Sequence, residues 1–244
     1  MLKNKIAFIT GANGGIGKAI VKDFIKNRAK VICAVRKIDK NFLKFVHQNK
    51  KNIIRVIEID LMEEEKMKNE IEKLHKSKKS IDILINCAGT TNGSIFELTS
   101  QKKLKQIFEI NFFSQINLTQ MLLSFLKKKK NSSIINIGSI SGVIPDRGYL
   151  SYGSSKAAMM YATKIMANEL SIYGIRVNCI APGITKTKMT KSIDKNFKKK
   201  YLEENFLKKE CKPEQIGNLA SFLASDLSLH INGQIIRIDG GTRS

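Results

Sequence analysis

The sequence predicts a single α/β domain, 1–244, built on a doubly wound sheet of about seven parallel strands with helices on both faces. Two observations support this prediction. Short apolar runs alternate with longer segments of helical periodicity, and a glycine-rich turn joins the first run to the first helix. Strands separated by helices imply right-handed crossovers, and hence parallel strands covered on both sides. A length of 244 residues with 42% hydrophobic content suits one large core.

Seven apolar runs are the strand candidates, and six periodic segments are the helix candidates. The strands are predicted at 5–10, 30–35, 53–59, 81–86, 133–138, 175–180 and 234–238. The helices are predicted at 16–28, 39–48, 63–77, 100–128, 151–172 and 213–224. Because parallel strands end at the same edge of a sheet, we expect one ligand site beside the residues at their ends. These residues are Thr10, Val35, Asp60, Asn86, Ser139 and Ala181.

The glycine-rich turn lies between a predicted strand and a predicted helix, which is the context of a dinucleotide-binding turn. It reads Thr10-Gly11-Ala12-Asn13-Gly14-Gly15-Ile16-Gly17, with the spacing GxxxGxG rather than GxGxxG. Glycine permits the turn and lets the backbone approach a pyrophosphate, while the helix N-terminus offers free N–H groups. An ordinary glycine-rich loop is the alternative. We expect dinucleotide contacts from Gly11, Asn13, Gly14, Gly15, Ile16 and Gly17.

Tyr152 and Lys156 are one helical turn apart, and Ser139 precedes the tyrosine by thirteen residues. A free phenol has a pKa of about 10, so we expect the ammonium of Lys156 to lower the pKa of Tyr152 toward neutrality. Tyr152 would then protonate a carbonyl oxygen that receives hydride, while the Ser139 hydroxyl stabilises the oxyanion. The alternative is a surface Tyr and Lys on an amphipathic helix. Ser139 and the glycine turn in the same chain disfavour it.

Composition argues against several other classes of protein. The cysteines form neither a CxxC pair nor a disulfide framework, and the three histidines add no ligand pattern, so we expect a cytoplasmic protein with reduced thiols and no metal. The net charge of +22 comes from dispersed lysines without interleaved aromatic residues, which argues against nucleic-acid binding. No apolar stretch approaches the roughly 20 residues of a membrane span. With a first strand expected at residue 5, we expect no signal peptide.

The end of the second predicted strand bears on the choice of cofactor. An acidic residue there would accept hydrogen bonds from both ribose hydroxyls and select NAD, but the strand ends in Cys33-Ala34-Val35-Arg36-Lys37. Arg36 offers a cationic fork suited to a 2′-phosphate, with Lys37 nearby. We therefore expect NADPH/NADP as the cofactor in preference to NAD.

Together these motifs resemble the short-chain dehydrogenase/reductase family, whose fold is of the Rossmann type, over almost the whole chain. Asn86-Cys87-Ala88-Gly89 is similar to the family's NNAG, with Cys in place of the second Asn. Pro182-Gly183-Ile184 and Asp239-Gly240-Gly241 match two later signatures. The resemblance implies catalytic roles for Asn111, Ser139, Tyr152 and Lys156. It also implies cofactor contacts from Asp60, Leu61, Asn86, Ala88, Gly89, Tyr152, Lys156, Pro182, Gly183, Ile184 and Thr185.

The resemblance further implies where some of these residues lie. Asp60 would accept a hydrogen bond from the adenine amino group. Asn86 and Gly89 would line the cofactor cleft, where a bulky side chain at position 89 would not fit. Asn111 would anchor a water that relays protons to Lys156.

Within the family, the chain is most similar to reductases that act on 3-oxoacyl groups attached to acyl carrier protein, through the stretches 176–183, 222–226 and 231–234. The implied reaction is the NADPH-dependent reduction of a ketone to a secondary alcohol. The lysine-rich segment 185–207 is the expected substrate lid, and it would suit a phosphopantetheine-linked acyl chain on an acidic carrier protein. Tyr173 stands where carrier reductases often have Arg, which weakens the argument for docking.

Two other functions stay open from the sequence. One is the same chemistry on another ketone, such as a sugar or a secondary metabolite. The other is a dinucleotide-binding sensor without catalysis, which the complete catalytic set disfavours. Relatives in this family are commonly tetramers that pack through the helices expected here at 100–128 and 151–172. Because the apolar stripes of these helices exceed one buried face, we expect a homotetramer.

The Arg36→Asp variant should prefer NADH to NADPH, because a carboxylate repels a 2′-phosphate and accepts hydrogen bonds from the ribose hydroxyls. Loss of a charge-assisted hydrogen bond of about 1.5–3 kcal/mol should raise the KM for NADPH by about tenfold or more. Steady-state kinetics with both cofactors measure this preference. A parent enzyme that already prefers NADH strongly would contradict the assignment.

Overall fold

The structure is a computed structural model that describes residues 1–77, 80–193 and 195–242. It confirms the predicted sheet of seven parallel strands, in the order β3-β2-β1-β4-β5-β6-β7. Successive strands are added on one side of β1 up to β3 and on its other side from β4 onward. This change of side opens a crevice between β1 and β4 at the C-terminal ends of the strands, where doubly wound sheets bind ligands. The strands are β1 (Ile6–Thr10), β2 (Lys30–Val35), β3 (Ile53–Glu58), β4 (Ile83–Asn86), β5 (Ser133–Ile137), β6 (Arg176–Pro182) and β7 (Ile235–Ile238).

Eight α-helices surround this sheet in the part of the chain that the structure describes. They are α1 (Gly15–Lys26), α2 (Lys40–Gln48), α3 (Glu64–Lys76), α4 (Gln101–Phe108), α5 (Ser114–Leu126), α6 (Leu150–Leu170), α7 (Lys195–Glu204) and α8 (Pro213–Ala224). Most predicted bounds lie within two residues of these. The sequence did not predict α7, which lies in the expected lid.

The helix predicted at 100–128 is interrupted by a π-helical segment, Glu109–Phe113, so the prediction of one continuous helix was wrong. Asn111 lies at the centre of this segment and is fully buried. Its side chain exchanges two hydrogen bonds with the backbone of Thr90, in the loop after β4. These are tertiary contacts, which hydrophobic periodicity does not reveal. π-Helical turns are frequent at functional sites.

Two apolar layers hold the helices against the sheet. On one face, Ile9 of β1 packs with Phe24 of α1 and Leu223 of α8. On the other face, Phe8 packs with Leu122 of α5. Adjacent residues of β1 therefore point to opposite layers, as the pleat of a strand requires. This double burial explains why the strands read as almost continuous apolar runs.

A buried guanidinium holds the C-terminal end of α8. Arg176 begins β6, is 6% exposed, and donates hydrogen bonds to the carbonyl oxygens of Leu223 at 2.8 Å, Ser225 at 3.2 Å and Ile231 at 3.3 Å. A cation at this position also compensates the partial negative charge of a helix C-terminus. Arg176 thereby joins β6 to the segment that leads into β7.

The Arg176→Met variant should lower the free energy of unfolding by about 2–4 kcal/mol, because three carbonyl groups in the interior each lose one of their donors. Arg55→Met is the matched control. Its guanidinium pairs with Glu70 at 3.0 Å where both side chains are partly exposed, so the loss should be about 1 kcal/mol or less. Denaturant unfolding followed by circular dichroism measures both variants, and equal losses would contradict the assigned role.

Candidate active site

The glycine turn between β1 and α1 forms one wall of the crevice. Gly11 has a φ of +62°, and a Cβ there would lie 2.9 Å from the Cα of Ala88, so the position requires glycine. A Cβ at Gly17 would press into the carbonyl oxygen of Gly11. No side chain caps the N-terminus of α1, and its first turn has no acidic residue. The turn therefore fits the pyrophosphate of a dinucleotide, with helix N–H groups directed at the anion.

Thr10 joins this turn to the loop after β4. Its hydroxyl accepts hydrogen bonds from the N–H groups of Cys87 and Ala88, both at 2.9 Å, and donates to the carbonyl of Ile85 at 3.3 Å. The sequence identified Thr10 only as a strand end beside the site. Its position directly before Gly11 was the signal that it helps to shape the crevice.

The edge of the crevice where the adenosine is expected, called here the adenosine edge, contains three of the predicted cofactor contacts. Asn13 donates from Nδ2 to the carbonyl of Lys37 at 3.0 Å, which ties the glycine turn to the loop after β2. Arg36 is exposed in the same loop. Asp60 follows β3, and its Oδ1 accepts a hydrogen bond from the N–H of Met62 at 3.0 Å. The ends of β1, β2 and β3 thus bring these side chains to one edge.

The side chain of Asn86 turns away from the crevice. It is 1% exposed, and its Nδ2 donates to Thr119 at 3.0 Å and to the Oδ1 of Asn136 at 2.8 Å. Asn136 in turn donates to Thr163 at 2.8 Å. This buried network joins β4 and β5 to α5 and α6. The side chain of Asn86 is therefore held beneath the crevice through its Nδ2, while its buried Oδ1 has no hydrogen-bond partner among the described residues. A contact between Asn86 and the cofactor stays a prediction.

The start of α6 brings the predicted catalytic side chains together at the end of β5. Ser139 follows β5, and its Oγ accepts a hydrogen bond from the N–H of Ser141 at 3.2 Å. Lys156 is 4% exposed, and its Nζ donates to the carbonyl of Ile137 at 2.7 Å. The same Nζ lies 5.9 Å from the centroid of the Tyr152 ring. The ammonium is thus held beside the phenol by the backbone of the sheet.

Burial controls the protonation of this pair. Removal from water raises the pKa of Tyr152, and this effect outweighs a hydrogen bond with Ser139 that lowers it. Burial also lowers the pKa of Lys156. This direction is opposite to the expected lowering toward neutrality, because desolvation of the phenolate is the largest effect on the pKa of Tyr152. The role of Lys156 in lowering this pKa stays a prediction.

Asn111 and Gly89 flank the ammonium of Lys156. The Oδ1 of Asn111 accepts from the N–H of Thr90 at 2.8 Å, while its Nδ2 donates to the Thr90 carbonyl at 2.9 Å and to Ser155 at 3.0 Å. A Cβ at Gly89 would lie 3.3 Å from Asn111 Oδ1 and 3.4 Å from Lys156 Nζ, so a larger side chain would displace one of them. Asn111 therefore braces the loop after β4 against α6, and a water relay stays a prediction.

The segment 185–207 is anchored at several points. Thr185 forms a short parallel bridge with Cys211. Tyr201 of α7 is 8% exposed, and its hydroxyl accepts a hydrogen bond from Thr242 at 2.9 Å. A Cβ at Gly183 would press into the same hydroxyl, so glycine makes room for the tyrosine. The expected lid is thus attached to the β6 turn and to the C-terminal signature. Position 194 lies outside the described residues.

The start of this segment covers the glycine turn, since a Cβ at Gly15 would lie 2.6 Å from the Cγ2 of Thr187. Its basic character is partly compensated. Three lysines of α7 pair with carboxylates, as Lys198–Glu210, Lys199–Glu203 and Lys200–Glu204. The lid is therefore less cationic than its sequence indicates.

A cavity of about 590 Å³ lies next to residues that neighbour Ser139 and Tyr152 in the chain, and Ser139, Tyr152 and Lys156 do not themselves line it. The turn after Ser139, the first turn of α6 and the loop at 94–97 line it. Asp146 is a partly buried lining residue that the sequence did not identify, because a lone acid in a polar turn gives no motif. Four apolar lining residues are exposed, namely Ile95, Phe96, Val143 and Leu150.

The described residues contain no helix that is long and apolar enough to cross a membrane, and no group of three or more His, Cys, Asp or Glu side chains that could hold a metal ion. The expectation of a protein without a metal stays a prediction.

The fold and the crevice define a dinucleotide-dependent oxidoreductase. A family model described as enoyl-(acyl carrier protein) reductase matches residues 11–243. The chain belongs to the short-chain dehydrogenase/reductase family, as the sequence resemblance predicted. The protein is an NAD(P)-dependent oxidoreductase that acts on a CH–OH or C=O group.

Similar proteins include curated reductases and a solved dehydrogenase. The chain is 32% identical over 243 residues to the 3-oxoacyl-[acyl-carrier-protein] reductase FabG of Thermotoga maritima, with 98% of each chain covered. It is 31% identical over 242 residues to FabG of Buchnera aphidicola subsp. Schizaphis graminum, again with 98% of each covered. The ligand-free aldohexose dehydrogenase (AldT) of Thermoplasma acidophilum is similar with a TM-score of 0.86 at 25% identity, covering 100% of this chain and 96% of that one.

Proposed function

We propose that this protein reduces the ketone of a 3-oxoacyl thioester on acyl carrier protein to a secondary alcohol, with NADPH as the reductant. The observation that carries the proposal is the proximity of Ser139, Tyr152 and Lys156 at the end of β5. A cavity with an apolar mouth is lined by residues next to Ser139 and Tyr152 in the chain. Bound reduced nicotinamide would supply a hydride to the carbonyl carbon. The residues of the chain would supply orientation, charge stabilisation and a proton.

Two hydroxyl groups stabilise and then neutralise the negative charge that develops on the substrate oxygen. Ser139 donates a hydrogen bond to that oxygen, and Tyr152 donates its proton. A buried phenol with a raised pKa remains a much stronger acid than an aliphatic alcohol, so it still protonates the alkoxide. Burial therefore suits reduction, because Tyr152 keeps its proton until the alkoxide forms. Lys156 would hold a ribose hydroxyl with its remaining ammonium protons.

Several observations support the choice of substrate. The exposed apolar residues at the mouth of the cavity suit an acyl chain. The net charge of +22 suits an acidic carrier protein. Tyr173 occupies the position where carrier reductases often have Arg. The Nζ of Lys127 lies 3.7 Å from the centroid of the Tyr173 ring, so a cation lies beside this position. The names of the two curated relatives also give a 3-oxoacyl group on acyl carrier protein as the substrate.

The choice of NADPH is supported by Arg36 and Lys37, which are exposed directly after β2, and by Val35, an apolar residue, as the last residue of that strand. A homotetramer is supported by apolar residues that remain exposed on the helices expected to pack: Tyr161 is 68% exposed and Ile165 is 45% exposed on α6. Leu118 of α5 is instead buried within the monomer. Location in the cytoplasm is part of the same proposal.

A sugar carbonyl is the second candidate substrate, because the solved dehydrogenase with a TM-score of 0.86 is named for aldohexoses. The chemistry at Ser139 and Tyr152 would be the same, and the cavity would then bind a polyol.

Oxidation of NADPH should be faster with acetoacetyl-carrier protein than with acetoacetyl-CoA or a ketosugar. Tyr152→Phe should lower kcat by about 10²–10⁴-fold, because the proton donor is lost. Dinucleotide binding, measured by fluorescence, should be retained and serves as the control for folding. A faster reaction with the ketosugar would favour the second candidate. No turnover by the parent with any ketone would favour a sensor.

The rate of ketone reduction should stay level through neutral pH and fall only in alkaline solution. Burial raises the pKa of Tyr152 above its ordinary value, so the phenol that reduction requires persists to higher pH and is lost as pH rises through the raised pKa. The reverse oxidation requires phenolate and should become faster over the same range. Profiles of kcat in both directions between about pH 6 and pH 11 measure this. A reduction rate that falls near neutrality would show a lowered pKa instead.

A further inference from the structure

The cavity beside the turn that follows Ser139 contains a carboxyl group that the proposed reaction does not use. The Oδ2 of Asp146 accepts a hydrogen bond from the Oγ of Ser141 at 3.0 Å. Among the described residues, no hydrogen bond is made to its other oxygen, Oδ1. The carboxyl is thus held in one orientation, with an acceptor atom left over inside the cavity lining.

Asp146 is coupled to the catalytic residues by a short turn. Ser141 donates from its backbone N–H to the Oγ of Ser139 at 3.2 Å and from its side chain to Asp146. On the other side, the ring of Tyr149 lies 6.2 Å from the ring of Tyr152, and the N–H of Tyr149 donates to the carbonyl of Asp146 at 3.2 Å. A substrate that contacts Ser139 and Tyr152 and extends into this cavity would therefore reach Asp146.

The surroundings make this carboxyl a selective acceptor. Burial raises the pKa of Asp146, the hydrogen bond from Ser141 opposes that effect, and the negative charge of Glu204 in α7 raises the pKa further. The carboxylate is thus incompletely compensated within the protein. An ionised carboxylate only accepts hydrogen bonds, and those to a charged group are the strong ones. A ligand donor would stabilise it, whereas a second anion would be repelled.

We propose that Asp146 selects substrates that carry an N–H or O–H donor near the ketone, by accepting that hydrogen bond through its carboxylate. It also disfavours substrates that carry a carboxylate at that position. The inference rests on the proposed use of the cavity as the substrate pocket. The amide N–H of a pantetheine arm and the hydroxyl of a sugar offer the same chemistry, so the experiment separates these sources.

Two pairs of ketones test the selection. The first pair is the acetoacetyl thioester of N-acetylcysteamine, which has an amide N–H, and its N-methyl counterpart, which has none. The second pair is a hydroxyketone and its O-methyl ether. Asp146→Leu should raise the KM for the donor-bearing member of a pair by about tenfold, with little change in kcat or in the KM of the methylated member. Asp146→Asn keeps a neutral acceptor and should give an intermediate KM.

The matched control is Glu97→Gln, which removes an exposed carboxylate that lines the same cavity. It should leave the KM ratio of each pair unchanged. If Asp146→Leu does not fold, as judged by its melting temperature, the nearly isosteric Asp146→Asn still supplies the comparison.

The selection should also depend on pH. Because burial raises the pKa of Asp146, the carboxyl takes up a proton early on the acid side, and the KM for the donor-bearing thioester should rise there in the parent but not in Asp146→Asn. Glu204→Gln should shift this rise to lower pH, since it removes a neighbouring negative charge. A purely structural Asp146 would not produce this dependence. The ionisable and charged groups around Asp146 are Glu97, Arg147, Tyr149, Tyr201 and Glu204.

The outcomes separate this inference from the proposed function. Equal KM ratios in the parent and Asp146→Leu for both pairs would overturn the inference. If Asp146→Leu changes the KM ratio of the hydroxyketone pair but not that of the thioester pair, the result would support the inference and refute the acyl-carrier function. If the parent turns over no ketone, calorimetric titration of the parent saturated with dinucleotide, using the same four compounds, measures the selection directly. Equal affinities within both pairs would then overturn it.

Discussion

The hydrogen bond from the buried ammonium of Lys156 to the carbonyl of Ile137 fixes the catalytic side of the crevice to the sheet. It determines where the ammonium lies relative to Tyr152, and it satisfies one donor of a cation that is almost removed from water. Ser139 and Tyr152 lie near this same point at the end of β5. Displacing the ammonium would leave a buried charge without this acceptor.

Buried amides do much of the positioning in this structure. Asn86 and Asn136 link neighbouring strands below the crevice, and Asn111 joins the loop after β4 to α6. Each would be costly in an apolar interior without partners, and most of their polar atoms have them, although the buried Oδ1 of Asn86 has none among the described residues. Such networks hold loops in place, which suits a site that must align a hydride donor with a carbonyl.

Part of the positive charge of this protein is paired locally. The net charge of +22 suggests a strongly basic lid, yet lysines of α7 are paired with glutamates. Two other charged groups are shielded from water to different degrees: Lys156 is buried beside the phenol, and Asp146 is partly buried in the cavity lining. A charge removed from water interacts more strongly than one on the surface, so the interactions of these two groups are less screened than those of exposed lysines.

The sequence by itself determined the strands, most helix bounds, the glycine turn and the set of Ser139, Tyr152 and Lys156, because these depend on local periodicity and on residue types at short spacing. Only the tertiary structure decided the π-helical turn at Asn111, the inward direction of Asn86, the partners of the lid and the raised pKa of Tyr152. Each of these is set by which groups from distant parts of the chain surround a side chain and by how far they exclude water. Desolvation and long-range hydrogen bonds are properties of the packed interior, which residue spacing does not encode.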